Sequence, residues 1–259
     1  MMTVNSKNSQ AFLFGVRLDD TGSRDVLVER LLGFLEGAKA HVIATPNPEI
    51  LLLAREHSAY RDVLSASDLN IPDGIGIKVV RYLQGRKRPF RMAGIDIGEL
   101  LLDMAHAKRL PVLFLGGQDG AATSAADRIT KARTNLKIFA AADDAEFNES
   151  GDVADAEEAK RIKAAILQTK PVIVLVGLGA PKQEQWIHAN RDRFPSVRVF
   201  IGVGGAFDVW SGRLRRAPKV MRALGLEWLW RLLLEPTRFP RIFRAVFVFP
   251  LYALLEKKV

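Results

Sequence analysis

The chain has 259 residues, 48% of them hydrophobic and 26% charged, with no cysteine and a net charge of +9. That apolar content excludes a disordered chain and suffices for one α/β domain with a substantial core plus an appendage. The missing cysteines exclude disulfides, thiolate metal sites and cysteine nucleophiles, which fits a reducing cytoplasm.

In chain order, Met1 to Gln10 is polar and lacks the apolar core of a signal peptide, so export is not expected. Phe12 to Val16 reads as a short opening strand. Asp25 to Glu36 follows as an amphipathic helix, with Val28, Leu31, Leu32 and Leu35 at helical spacing. His41 to Thr45 reads as a strand ending at Thr45-Pro46-Asn47-Pro48, whose prolines stiffen a loop before a helix reaching about Glu56. A strand near Leu69 to Ile71 leads into Pro72-Asp73-Gly74-Ile75-Gly76, a carboxylate presented on a turn. A helix from Ile77 to Leu83 ends in the basic loop Arg86 to Arg91, and Asp96 with Glu99 resembles a capping box opening a helix to Arg109. Then come a strand from Pro111 closing on Gly116-Gly117, a helix from Ala121 to Arg133, a strand from Leu136 to Ala140, an acidic loop from Asp143 to Gly151, and a helix from Ala154 to Gln168.

Val172 to Val176 and Val199 to Val203 are apolar, β-branched runs, the pattern of strands buried on both faces of a parallel sheet. Strands alternating with helices in this way give the fold class: α/β, a Rossmann-like doubly wound, mostly parallel sheet with helices on both faces. Residues 1–212 are expected to form the catalytic domain and residues 213–259 a helical, membrane-associating appendage.

Polar clusters follow the apolar runs, where open α/β sheets place their ligands. As a tripeptide, Pro72-Asp73-Gly74 is also ordinary turn chemistry; its neighbours favour a functional carboxylate. Three glycine loops close strands, at Gly116 to Gly120, Gly177 to Pro181 and Gly202 to Ala206. None fits the dinucleotide fingerprint, and there is no Walker A pattern. Their backbone amides can still cradle a pyrophosphate, or serve only as turns. Pro181-Lys182-Gln183-Glu184 would open a helix with polar side chains toward whatever the preceding glycines hold. There is no Asp-x-Asp, and the four histidines lack ligand spacing, so neither a metal nor a cofactor is implied.

The positive charge belongs to the tail, where eleven Lys and Arg face three acids between Arg213 and Val259. Its partner should be anionic. No uncharged stretch approaches the ~20 residues needed to cross a bilayer. Trp228, Trp230, Phe239, Phe243, Phe247 and Phe249 beside arginines instead suit a helix lying on an anionic membrane surface, although a helix packed on the core is the alternative. Nucleic acid is disfavoured as a partner because so much of the segment is apolar.

Taken together, Thr45-Pro46-Asn47, Pro72-Asp73-Gly74, Arg91 with Gly94 and Asp96, Gly177 to Trp186, Gly202 to Asp208, Arg216-Ala217-Pro218 and Glu227 to Arg238 resemble the WecG/TagA/CpsF glycosyltransferases, glycosyltransferase family 26. The resemblance implies an inverting, membrane-associated enzyme that moves a hexose or N-acetylhexosamine from a UDP-sugar to a polyprenyl-diphosphate-linked sugar. Such an enzyme would work at the cytoplasmic face of the plasma membrane. Asp73 corresponds to the family's proposed base. Thr45, Asn47, Gly179, Pro181, Lys182, Gln183, Glu184, Gly204, Gly205 and Asp208 would line the donor side, and Arg91, Arg231, Arg238 and Arg241 would meet the diphosphate. A soluble nucleotide-dependent oxidoreductase and a non-catalytic membrane adaptor stand as alternatives, and a homo-oligomer is left open.

Overall fold

A computed structural model describes residues 11–256 of the protein. Met1 to Gln10, on which the expectation about export rests, lie outside the described residues. The expected single opening strand is instead a hairpin of β1 (Ala11–Leu13) and β2 (Val16–Leu18). Phe14 and Gly15 form its two-residue turn, both with positive φ, as tight hairpins require.

The rest follows the predicted strand and helix order, with α3 and α9 as helices not read from the sequence: α1 (Arg24–Glu36), β3 (His41–Ala44), α2 (Pro48–Glu56), α3 (Ser58–Ser65), β4 (Leu69–Asn70), α4 (Ile75–Leu83), α5 (Gly94–Lys108), β5 (Val112–Gly116), α6 (Ala121–Ala132), β6 (Ile138–Ala141), α7 (Ala156–Thr169), β7 (Ile173–Gly177), α8 (Lys182–Asn190), β8 (Val199–Gly202) and α9 (Ala206–Ser211). The six strands β3 to β8 form one parallel sheet in the order β4-β3-β8-β7-β5-β6. Because all run the same way, the loops after Ala44, Asn70, Gly116, Gly177 and Gly202 gather at one edge.

Side chains alternate across the strands and separate two layers. Ile43, Phe114, Leu175 and Ile201 face a core shared with α1, α5, α6 and α9. Val42, Leu113, Val174 and Phe200 face α7 and α8. The capping box read at Asp96 and Glu99 is not there: α5 begins earlier, at Gly94, with no side-chain cap, and both acids are engaged elsewhere.

After α9 the chain makes short helices: α10 (Lys219–Ala223), α11 (Glu227–Leu234), a 3-10 turn (Pro236–Arg238), α12 (Phe239–Phe243), a π-helical stretch (Arg244–Val248) and α13 (Phe249–Leu255). The end of this tail packs back on the domain. Phe249 and Ala253 are fully buried in a cluster with the hairpin and helices α2, α3 and α4. Phe249 is therefore not an interfacial ring, as read from sequence; it meets Phe14 edge-on, with ring centroids 5.9 Å apart. Glu256 accepts a bond from the Phe14 amide at 2.8 Å and ties the tail to the hairpin turn.

Truncating such a ring leaves a cavity. Phe249→Ala is expected to destabilise the protein by about 3–5 kcal/mol in denaturant unfolding. A loss below about 1 kcal/mol, the level of an exposed site, would show that the closing helix is not part of the core.

Candidate active site

The loops at the carboxyl edge of the sheet are tied to one another by backbone bonds. Ile71 donates its amide to Ala44, Asp73 to Pro46 at 2.8 Å, and Met92 to Pro72 at 3.2 Å. The segments carrying Thr45, Asp73 and Arg91 are thus held as one surface. Thr45 is buried, and its hydroxyl sits so close to α5 that a Cβ on Gly94 would lie 2.9 Å from Oγ1. Only a glycine admits that approach.

Asp73 follows β4. Withdrawal from water lifts its carboxyl from 3.8 to about 6. Arg91 and the backbone amides of Gly74 and Gly94 pull it down, and Glu227 on α11 pushes it up. The half-buried carboxylate is therefore held by two backbone amides and feels the Arg91 charge at longer range, the setting of a base that works near neutral pH. Gly94 also adjoins the Gly202 carbonyl, which a Cβ there would approach to 3.6 Å, so the start of α5 packs against the end of β8.

There the sequence expectation needs refinement. Neither Gln183 nor Glu184 presents a free polar end, because both are buried in a chain of hydrogen bonds. Tyr60 donates to Glu184 Oε2 at 2.9 Å, Gln183 Nε2 donates to Glu184 Oε1 at 2.7 Å, and the Gly204 amide donates to Gln183 Oε1 at 3.0 Å. The network shapes the Gly204 turn from beneath. Burial raises Glu184 to about 7 against the opposing pull of its Gln183 and Tyr60 donors. Asn47 is the N-cap of α2, accepting from the Ile50 amide at 2.9 Å. Lys182 donates to the Phe147 carbonyl at 2.5 Å and braces the loop over α8. Pro181 follows a cis peptide bond and sits at the N-cap of α8, one place before the expected position, and Gly179 has φ +74°. Asp208 lies in the first turn of α9, near Arg213.

The tail arginines approach from the open side. Arg231 lies over Gly205, where a Cβ would meet Nη2 at 2.6 Å. Glu235 bridges Arg231 and Arg238 at 2.8 and 2.9 Å and is held below its ordinary range by them, although its own burial works the other way. Arg241 pairs with Glu49 on α2 through Nε at 2.6 Å.

Sequence reasoning gave no role to Arg216, which the structure makes central. Largely buried, it lies 2.8 Å from Asp96, 3.7 Å from Glu99 and 3.7 Å from Glu227. Its Nε and Nη2 are buried without an aligned hydrogen-bond acceptor, so the attachment is Coulombic. Arg216 thereby joins α5 to the helix whose Glu227 acts on Asp73. Its place in Arg216-Ala217-Pro218 was the available signal. Among the described residues, no three His, Asp or Glu side chains are grouped to hold a metal ion.

Set against known proteins, this sheet and its crevice fall among the glycosyl transferases. The chain belongs to the glycosyl transferase WecG/TagA/CpsF family, whose model matches residues 11–259. It is 37% identical over 217 residues to the N-acetylglucosaminyldiphosphoundecaprenol N-acetyl-beta-D-mannosaminyltransferase of Bacillus subtilis (strain 168), covering 84% of this chain and 79% of that one. The protein of the same name from Bacillus spizizenii is 36% identical, covering 81% and 77%. That of Staphylococcus aureus (strain NCTC 8325) is 30% identical, covering 93% and 92%. Membership displaces both sequence-level alternatives, the oxidoreductase and the non-catalytic adaptor.

The raised Glu184 carboxyl has a consequence for stability. The folded state holds its proton more tightly than the unfolded chain between about 4.5 and about 7, so stability falls as pH rises through that window. Glu184→Gln keeps the shape and removes the titration. Relative to the parent protein it should gain thermal stability from pH 4.5 to 7 and level off above; a difference that does not vary with pH would contradict the assignment.

Proposed function

We propose that the protein is an inverting, metal-independent glycosyltransferase of cell-envelope glycan synthesis. It would move an N-acetylmannosamine-type sugar from a UDP-sugar to N-acetylglucosamine on a polyprenyl diphosphate. The names of three relatives supply the transferred sugar and the acceptor class, and the UDP donor is what the family resemblance implies. The observation that carries the mechanism is the Asp73 carboxyl, set at the carboxyl edge of the sheet between the Thr45 and Arg91 segments and lifted to about 6.

Asp73 accepts the proton of the acceptor hydroxyl while that oxygen bonds to the anomeric carbon from the face opposite UDP. The bond from that carbon to the UDP oxygen breaks, its electron pair leaves with UDP, and one displacement inverts the centre. Arg91, Arg231, Arg238 and Arg241 counter diphosphate charge, since a guanidinium fork matches two oxygens at once. Thr45, Gly179, Gly204, Gly205 and Asp208 line the donor side. Asn47, Pro181, Lys182, Gln183 and Glu184 act one step back by fixing the loops that do so.

The tail supports work at a membrane. Phe239, Phe243, Phe247, Leu251 and Leu255 recur every four residues and stand 45–69% exposed along α12 to α13. Such a ridge beside Arg241 and Arg244 suits burial among anionic headgroups. No helix among the described residues is long and apolar enough to cross a bilayer. We place the enzyme peripherally, on the cytoplasmic face.

Asp73→Asn should lower turnover by about 10²–10⁴ while UDP affinity by calorimetry stays within a few-fold. In the parent protein kcat/KM should rise about tenfold per pH unit below about 6 and flatten above it, with or without a chelator. Full activity of the variant, or a flat profile between pH 4.5 and 7, would refute the role of Asp73; loss of activity in chelator would refute metal independence.

A further inference from the structure

Helix α4 is apolar on two faces. Ile77 and Val80 point into the core under the hairpin, whereas Val79, Tyr82 and Leu83, at the i, i+3, i+4 spacing of one face, are 46%, 60% and 59% exposed. Apart from Lys78 and the buried Arg81 its side chains are apolar, and an apolar face left exposed marks a contact with a second apolar phase. The loop after α4 carries Arg86, Lys87 and Arg88, and the Arg88 guanidinium lies 4.2 Å from the centroid of the Tyr82 ring. Lys87 reaches Asp20, but among the described residues neither Arg86 nor Arg88 forms an ion pair. Helix α13 runs alongside: Gln84 donates to the Ala253 carbonyl at 2.8 Å, and a Cβ on Gly76 would lie 3.8 Å from the Phe249 ring. The helix packed beside α4 thus carries exposed apolar side chains of its own, Leu251, Leu254 and Leu255, where the tail ridge ends.

We propose that α4 and the loop after it form a second footing on an anionic bilayer, supplied by the catalytic domain rather than the tail. Arg86 and Arg88 meet phospholipid headgroups, and Val79, Tyr82 and Leu83 enter the boundary below them. The inference rests on the membrane reading of the tail. The contiguous apolar surface and the sign of the charge favour a bilayer over a protein partner. The footing also sets the height of the reaction. Helix α4 starts two residues after Asp73 and its nine residues rise about 13 Å, so one rigid element links the base to the membrane. A lipid-linked acceptor with its diphosphate among the headgroups then presents its sugar toward Asp73, and that register holds even while the tail moves.

The absence of cysteine allows single labels. An environment-sensitive fluorophore on Leu83→Cys, on Phe247→Cys in the tail ridge, and on Leu167→Cys, exposed on α7, would be followed on adding vesicles of phosphatidylglycerol and brominated phosphatidylcholine. Labels at 83 and 247 should shift to the blue and be quenched by bromine, the label at 167 should do neither, and vesicles without phosphatidylglycerol should give a clearly smaller response at 83. A silent label at 83 with a responding one at 247 overturns the footing and leaves the tail reading standing. Silence at both overturns both. A response at 167 equal to that at 83, or an undiminished response at 83 to uncharged vesicles, overturns the proposed anionic footing.

Discussion

A carboxylate is a stronger base near neutrality where water is scarce enough to lift it, and it is useful only where protein donors are close enough to keep it in place. At Asp73 those requirements oppose each other. Burial raises the group, while Arg91 and the amides of Gly74 and Gly94 lower it, and the balance rests at about 6. Much of the surrounding structure serves that balance. The parallel sheet delivers the Thr45, Asp73 and Gly202 loops to one edge, and the backbone bonds from Asp73 to Pro46 and from Met92 to Pro72 fix the first two relative to Arg91.

The tail takes part in the same balance. Glu227 arrives from α11 and pushes the Asp73 carboxyl up, and Arg216 holds Glu227 in register with Asp96 and Glu99. The tail arginines are already paired with Glu235, Glu49 and Glu56. Such pairs hold a guanidinium oriented in advance, and a diphosphate, which sets two anionic groups side by side, can compete for several of them at once. Because Phe249 is locked in the core beyond these arginines, the tail is pinned to the domain on both sides of them.

How much of this was legible in the sequence follows from which forces act locally. The β-branched runs at Val172 and Val199, the helical spacing in Asp25 to Glu36 and the glycines closing three strands are local signals, and each led to the right element. The turn at Phe14 and Gly15 was missed because Phe is an unusual residue at positive φ, and the tertiary packing of Phe14 against Phe249 accompanies it. Asp73 could be singled out from its neighbours, but its raised pKa depends on withdrawal from water in the folded chain and on Glu227, distant in sequence. Gln183 and Glu184 looked like ligand contacts because polar residues after a glycine loop usually face solvent; only the fold reveals Tyr60 waiting behind them. Arg216 stood out only as part of Arg216-Ala217-Pro218, which does not separate a clasp from a solvated charge.

Carbon-13 NMR of selectively labelled aspartate, with the Asp73 carboxyl assigned by comparison with Asp73→Asn, tests the central claim without substrate. The carboxyl should titrate near 6 in the parent protein and lower in Glu227→Gln, where one repelling charge is gone. Titration near 4 in both proteins would mean that the crevice neither desolvates Asp73 nor couples it to the tail, and the account of the site would fail.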